Sequence, residues 1–275
     1  MAVSLPRPRP AREDAEPSTR ELVLRQVDYW RTVYRRTWKG SAITSFVQPW
    51  LYVLAMGVLL GSYVEADPET LGGATSYLDF VAPGLLAAHA MTVGIGEVTW
   101  PVMGMLKWDR TYFGMIATPL RPRDLAWGHL LFCLFRISST CAVFVLVLAL
   151  VGVFASPWGV LPCLAAAVLT GMALSAPVYA FSAGAKSEQG FALIFRLGLM
   201  PMFLFSGAFF PISNLPAVLE WLARLTPLWH GVELCRMASL NTWTWWALVH
   251  VAYLVVLAAV GAWWSVRRLE RRLAG

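Results

Sequence analysis

The apolar positions of this 275-residue chain gather into long runs with short polar punctuation between them. Six runs, at residues 41–60, 79–105, 130–154, 160–183, 191–209 and 243–266, come close to or exceed the roughly 20 residues a helix needs to cross a bilayer. The pattern changes after the fifth run. Phe210-Pro211 breaks it, and two short amphipathic pieces follow, residues 215–225 and 228–238, divided by Thr226-Pro227. Each is too short to span and too apolar for a loop in water. Together they predict a broken helical hairpin that dips into the outer leaflet and returns. Irregular backbone survives at that depth only when buried in protein or lining a wet cavity.

A different period precedes the first run. Ser18 and Glu21 have capping-box spacing just after Pro17, and Val23, Val27, Trp30, Tyr34 and Trp38 then recur near helical period. Arg25, Asp28, Arg31, Arg35, Arg36 and Lys39 fall mostly off that stripe. The prediction is an amphipathic helix over 18–39 lying on the membrane surface. Residues 1–17, rich in Pro and Arg, read as a disordered tail and lack the apolar core of a signal peptide. Between the second and third runs, residues 106–127 hold a short helix-like stretch, 109–117, stopped at Thr118-Pro119. Tyr112, Phe113, Met115 and Ile116 are expected on its surface, where apolar side chains mark a docking face. The fold class is therefore all-α and polytopic: an interfacial helix, a transmembrane domain over 40–266 with six spans and a re-entrant hairpin at 211–241, and a short basic tail over 267–275.

Composition agrees with this pattern. The chain is 58% hydrophobic and 14% charged, with mean hydropathy +0.59, whereas soluble domains carry about 25% charged residues. A net charge of +6 in a soluble protein would point toward nucleic acid. Here the basic residues crowd the N-terminal helix, the 106–127 loop and the 267–272 tail. The 61–77 loop instead carries Glu65, Asp67 and Glu69 without Lys or Arg. The positive-inside rule then sets both termini in the cytoplasm and excludes a nucleic-acid partner. On the outer side only Arg224 and Arg236 appear, both within the hairpin.

Candidate chemistry is sparse. Cys133, Cys141, Cys163 and Cys235 form no CxxC, Cys235 has no obvious partner, and no disulfide is expected. His89, His129, His230 and His250 fall in separate places and make no HExxH, which argues against a metal site or a lipid-modifying enzyme. No G-x-x-x-x-G-K-[ST] phosphate cradle occurs, so any ATP-driven motor must be another polypeptide. Three ionisable residues lie inside spans. Counted at about 1.5 Å per residue from the inner ends, Glu97 sits about 15 Å, Arg136 about 12 Å and Arg196 about 9 Å deep. Their similar depth predicts that Glu97 pairs with Arg136, with Arg196 nearby; the alternative is that the arginines snorkel to the inner headgroups.

The ordered set Phe210-Pro211, Leu215-Pro216, Pro227-Leu228, His230, Glu233 and Arg236 resembles the signature near the C-terminus of ABC-2 type permeases. The branch in question includes nodulation lipo-oligosaccharide exporters, drug-resistance exporters and O-antigen or teichoic-acid exporters. The resemblance implies a homodimer in a bacterial cytoplasmic membrane, with two copies of a separate ABC ATPase that holds ATP and Mg. This chain itself would carry no cofactor. It also implies a coupling helix at Asp109, Arg110, Tyr112, Phe113, Met115 and Ile116, and a polar relay of Glu97 and Arg136 joining its motion to a gate in the hairpin. The implied cargo is an amphipathic lipid-linked glycan or glycolipid, with drug efflux as the alternative. A channel would have no use for the coupling loop. Trp221, Trp229 and Trp243 read as interface anchors more readily than as sugar-stacking residues.

Overall fold

The computed structural model describes residues 18–61 and 71–274, and among the described residues there are helices and no strands. The acidic residues at 65, 67 and 69 and the tail over 1–17 lie outside them. Helix α1 (Thr19–Tyr52) opens at Ser18, whose side chain accepts from the Glu21 backbone N–H. It runs on without a break as a π-helical turn, Val53–Leu60. The surface helix and first span expected as two elements are thus one rod. Gly40 is the only weak point between them, and a helical glycine costs about 1 kcal/mol, too little to force a break where nothing caps or turns the chain. The buried side of α1 is Leu22, Gln26 and Trp30, while Trp38 is 48% exposed, so the apolar stripe is displaced from the one read in the sequence. The reason is a packing partner: Trp30 stacks on Phe132 at 4.5 Å and Tyr34 meets Phe135 edge-on at 5.4 Å.

Phe132 and Phe135 belong to α5 (Pro122–Val151), which begins several residues before the predicted third span. Ahead of it, α2 (Tyr77–Val98) ends at Thr99, whose φ of −92° and ψ of −87° interrupt the helix. The chain resumes as α3 (Trp100–Met103), with Pro101 in its first turn, where a missing N–H costs nothing, and continues as a π-helical turn, Gly104–Trp108. The bend expected in the second span is therefore one break, at Thr99. Arg110, left-handed at φ 51°, turns the chain into α4 (Thr111–Ile116).

Helix α6 (Val160–Gly184) is the hub, packed against α2, α5, α10 (Pro227–Leu240) and α11 (Trp246–Leu273). Its crossing with α2 is set by two glycines. A Cβ on Gly171 would lie 2.8 Å from the Ala90 carbonyl oxygen, and one on Gly94 would lie 2.9 Å from that of Gly171. In lipid, where burying apolar surface gives helices little reason to associate, such close backbone approach is what joins them. At the α6–α10 contact the Cys163 and Cys235 thiols each reach the other's backbone carbonyl, at 3.6 and 3.8 Å. Cys235 thus has a neighbour that the sequence did not reveal, and all four thiols are free.

Four helices among the described residues are long and apolar enough to cross a membrane: Tyr77–Trp108, Pro122–Val151, Pro157–Gly184 and Trp246–Leu273. The chain is a multi-pass membrane protein. Helix α11 continues through the basic tail and buries Leu269 and Leu273, so the tail is helical. The apolar segment Gln189–Phe205 is shorter. It comprises α7 (Gln189–Leu193), a π-helical turn and α8 (Met200–Phe205), and ends before residue 209 because the chain turns at Gly207, φ 78°. A 3-10 turn, Ile212–Asn214, and α9 (Ala217–Arg224) lead to α10. Only α10 is buried among other helices. The outer face of α9 is bare, with Trp221 67% exposed.

Candidate functional site

Helix α4 is too short to be stable alone, and three contacts hold it. Tyr112 is buried, its hydroxyl 2.6 Å from His129 Nδ1 on α5 and 3.1 Å from the Tyr179 hydroxyl on α6. His129 Nε2 lies 2.9 Å from the Glu97 backbone carbonyl on α2. Met115 meets the Gln26 amide of α1 at 3.7 Å. The proton positions follow from the chemistry of the groups. A carbonyl can only accept, so His129 Nε2–H donates to Glu97. The neutral ring then offers Nδ1 as an acceptor, Tyr112 donates to it, and Tyr179 donates to the Tyr112 oxygen. Burial, reinforced by Tyr179, raises the Tyr112 phenol well above its usual pKa, which keeps that donor protonated.

This corrects one expectation. Tyr112 faces the bundle, and Met115 and Ile116 are half-buried; only Phe113, 40% exposed, with Trp108, Asp109 and Arg110, forms the outward face. A six-residue helix gives the sequence no period from which to tell its inner side from its outer. Asp109 is close enough to α1 that its charge, added to burial, raises the Tyr29 phenol.

Two turns further along α5, Arg136 Nε donates to Glu97 Oε1 at 2.8 Å, both side chains being mostly buried. The Arg136 guanidinium lies 5.1 Å from the centre of the Tyr34 ring, which brings α1 into the same cluster. Arg196 does not join it: the residue is exposed on the π-helical turn Ile194–Leu199, and among the described residues no carboxylate pairs with it. Its exposure follows from its host segment, whose short helices leave one flank uncovered.

At the opposite end, the prolines of the hairpin do local work. Phe210 and Pro211 lead into the 3-10 turn, Leu215 ends it, and Pro216 precedes the first residue of α9. Pro227 opens α10, with the Thr226 hydroxyl accepting from the Trp229 N–H. Arg236 fastens the hairpin to the bundle. It donates to Glu233 at 2.7 Å and to the Gly207 carbonyl at 2.7 Å, and its guanidinium lies 4.0 Å from the Phe80 ring centre. His230 stacks on Tyr253, and its Nδ1 is 2.7 Å from His250 Nδ1 on α11. The histidines read as scattered therefore find partners through space, although no group of three metal-ligating side chains occurs among the described residues.

The model of the ABC-2 type transporter family matches residues 26–240. The chain belongs to the ABC-2 type transporter family. This permease is 30% identical over 252 residues to Nodulation protein J of Rhizobium leguminosarum bv. trifolii, covering 89% of this chain and 94% of that protein. It is 31% identical over 251 residues to Nodulation protein J of Sinorhizobium fredii, with the same coverage. Members of the family are membrane subunits that normally pair with an ABC ATPase. Sequence reasoning about this permease missed His129 and Tyr179. His129 stands seven residues before Arg136 on α5, hence on one helical face with it, and that spacing was the signal available.

Proposed function

We propose that this permease is the membrane half of an exporter that moves an amphipathic lipid-linked glycan or glycolipid across the bacterial cytoplasmic membrane. Two copies of the chain form the pathway, and two copies of a separate ATPase bind ATP and Mg and supply the push. Six spans, with Gln189–Phe205 as a short fifth, put both termini and α4 in the cytoplasm. The α9–α10 hairpin re-enters from the outside as the gate. The observation that carries this reading is the construction of α4. Its exposed face of Asp109, Arg110 and Phe113 is available to a motor, while Tyr112 ties its other side to α2, α5 and α6 through a continuous set of hydrogen bonds. A push on the exposed face reaches three helices without passing through a flexible loop. Glu97 and Arg136, next along the same helices, would carry the motion to α1. The similarity to two proteins named Nodulation protein J supports an oligosaccharide-bearing lipid as cargo over a drug.

The test is affinity purification of the tagged chain from its own cells. An ABC ATPase should accompany it, and Phe113→Ala together with Asp109→Ala should remove most of that ATPase while leaving the permease in the membrane. Undiminished ATPase with the double variant would overturn the docking assignment, and transport by the permease alone would overturn the whole reading. Lipid analysis of a deletion strain then identifies the cargo: an inner-leaflet glycolipid should accumulate, whereas drug sensitivity with an unchanged lipid profile would favour efflux.

A further inference from the structure

We infer that the cavity between the α9–α10 hairpin and the top of α2 binds the neutral, polyhydroxylated headgroup of an amphipathic molecule. The inference rests on the exporter reading for its biological sense, though not for its chemistry. The cavity has a volume of about 480 Å³, within the roughly 300–1,000 Å³ of small-molecule sites. Its wall carries Glu220, Arg224, Glu233 and Arg236, together with the hydroxyls of Thr242 and Thr244. The charges balance, and each guanidinium already has its carboxylate: Arg224 with Glu220, and Arg236 with Glu233 at 2.7 Å. Neither a phosphate nor a cation finds an uncompensated charge there. What the wall offers is a dense alternation of acceptors, donors and groups that are both. A sugar hydroxyl, itself donor and acceptor, uses all three, because carboxylates and guanidiniums keep spare lone pairs and N–H groups after pairing once.

Arg236 is the fixed part of that wall: it is only 8% exposed, and its two terminal nitrogens are held by Glu233 and by the backbone carbonyls of Phe80 and Gly207. A second observation concerns the tail of such a molecule. Beside the cavity, the uncovered face of α9 presents Val218, Trp221, Leu222 and Leu225. A polar recess with an apolar shelf next to it matches a molecule with a hydroxylated head and a hydrocarbon tail.

The site is tested with soluble sugars, which carry no tail to partition into lipid. Full-length permease in phosphatidylcholine nanodiscs is examined by saturation-transfer NMR with cellobiose and methyl β-glucoside, against empty nanodiscs. Inorganic phosphate, followed by its ³¹P line width, serves as the anion arm. Signal transfer to the sugars but no broadening of phosphate is expected. Glu220→Gln with Thr244→Val should weaken sugar binding about five- to tenfold, as the loss of one charge-assisted contact and one hydroxyl implies. Thr244→Val alone, at an exposed position, gives the answer should the double variant fail to fold. Absence of sugar signal, equal signal in the variants, or phosphate binding in its place would each overturn the site. Co-purified ATPase is scored on the same preparations. Its absence alongside intact sugar binding removes the exporter reading and leaves the cavity, while its presence without sugar binding removes the cavity alone.

Discussion

Replacing Tyr112 with Phe deletes one oxygen from a site closed to solvent, and the proton arrangement there gives the consequence a sign. In the wild type, Tyr179 donates to Tyr112 and Tyr112 donates to His129. Tyr112→Phe leaves two groups without partners, the His129 Nδ1 lone pair and the Tyr179 O–H. At about 1–3 kcal/mol for each orphaned buried group, the docked state of α4 loses about 2–6 kcal/mol. Tyr179→Phe alone costs less, about 1 kcal/mol, because Tyr112 keeps its acceptor. In the Tyr112→Phe background the same change removes an orphan, and should restore about 1 kcal/mol or more. The readout is amide hydrogen exchange across residues 108–120 in nanodiscs, where each 1.4 kcal/mol is about tenfold in protection. Tyr112→Phe should speed exchange more than tenfold, and the double variant should exchange more slowly than that single variant. If Tyr179→Phe accelerates exchange equally in both backgrounds, the chain of donors is wrong.

Two further perturbations probe the packing. Glu97→Leu leaves the Arg136 guanidinium without its counter-charge; breaking a buried pair costs about 3–5 kcal/mol, reduced here to about 2–3 by partial exposure and the Tyr34 ring. Adding Arg136→Leu should recover most of that loss in a thermal-denaturation series, and no recovery would mean the pair contributes little. Gly171→Ala drives a methyl group to 2.8 Å from a carbonyl oxygen and should cost about 1–3 kcal/mol. Gly114→Ala, which meets nothing within 4 Å, should leave the thermal midpoint unchanged or slightly raised; a comparable fall in both would show that the crossing is not tight.

What the sequence disclosed, and what it hid, has a physical division. Apolar length announced the four long apolar helices seen among the described residues, because a bilayer imposes one requirement on every helix that crosses it. The two short hairpin helices were also visible, because Pro211, Pro216 and Pro227 punctuate them. Depth counting put Glu97 and Arg136 at one level, and in the structure 2.8 Å separates them. The same count put Arg196 there too, since depth along a helix says nothing of the direction a side chain faces. The boundary drawn between residues 39 and 40 is not a break, for the glycine that stands there permits a turn without requiring it. Tyr112 with His129 and Tyr179, and His230 with His250, were invisible because each set draws on different helices, and only the tertiary arrangement decides which faces meet.

The glycine crossing of α2 and α6 also limits how the molecule can work. Where two main chains touch directly, no layer of side chains lies between them to slip or repack, so this pair stands as a fixed post. No passage can open between these two helices without separating their main chains. Relative motion is to be sought instead at the thinly covered segments α8 and α9.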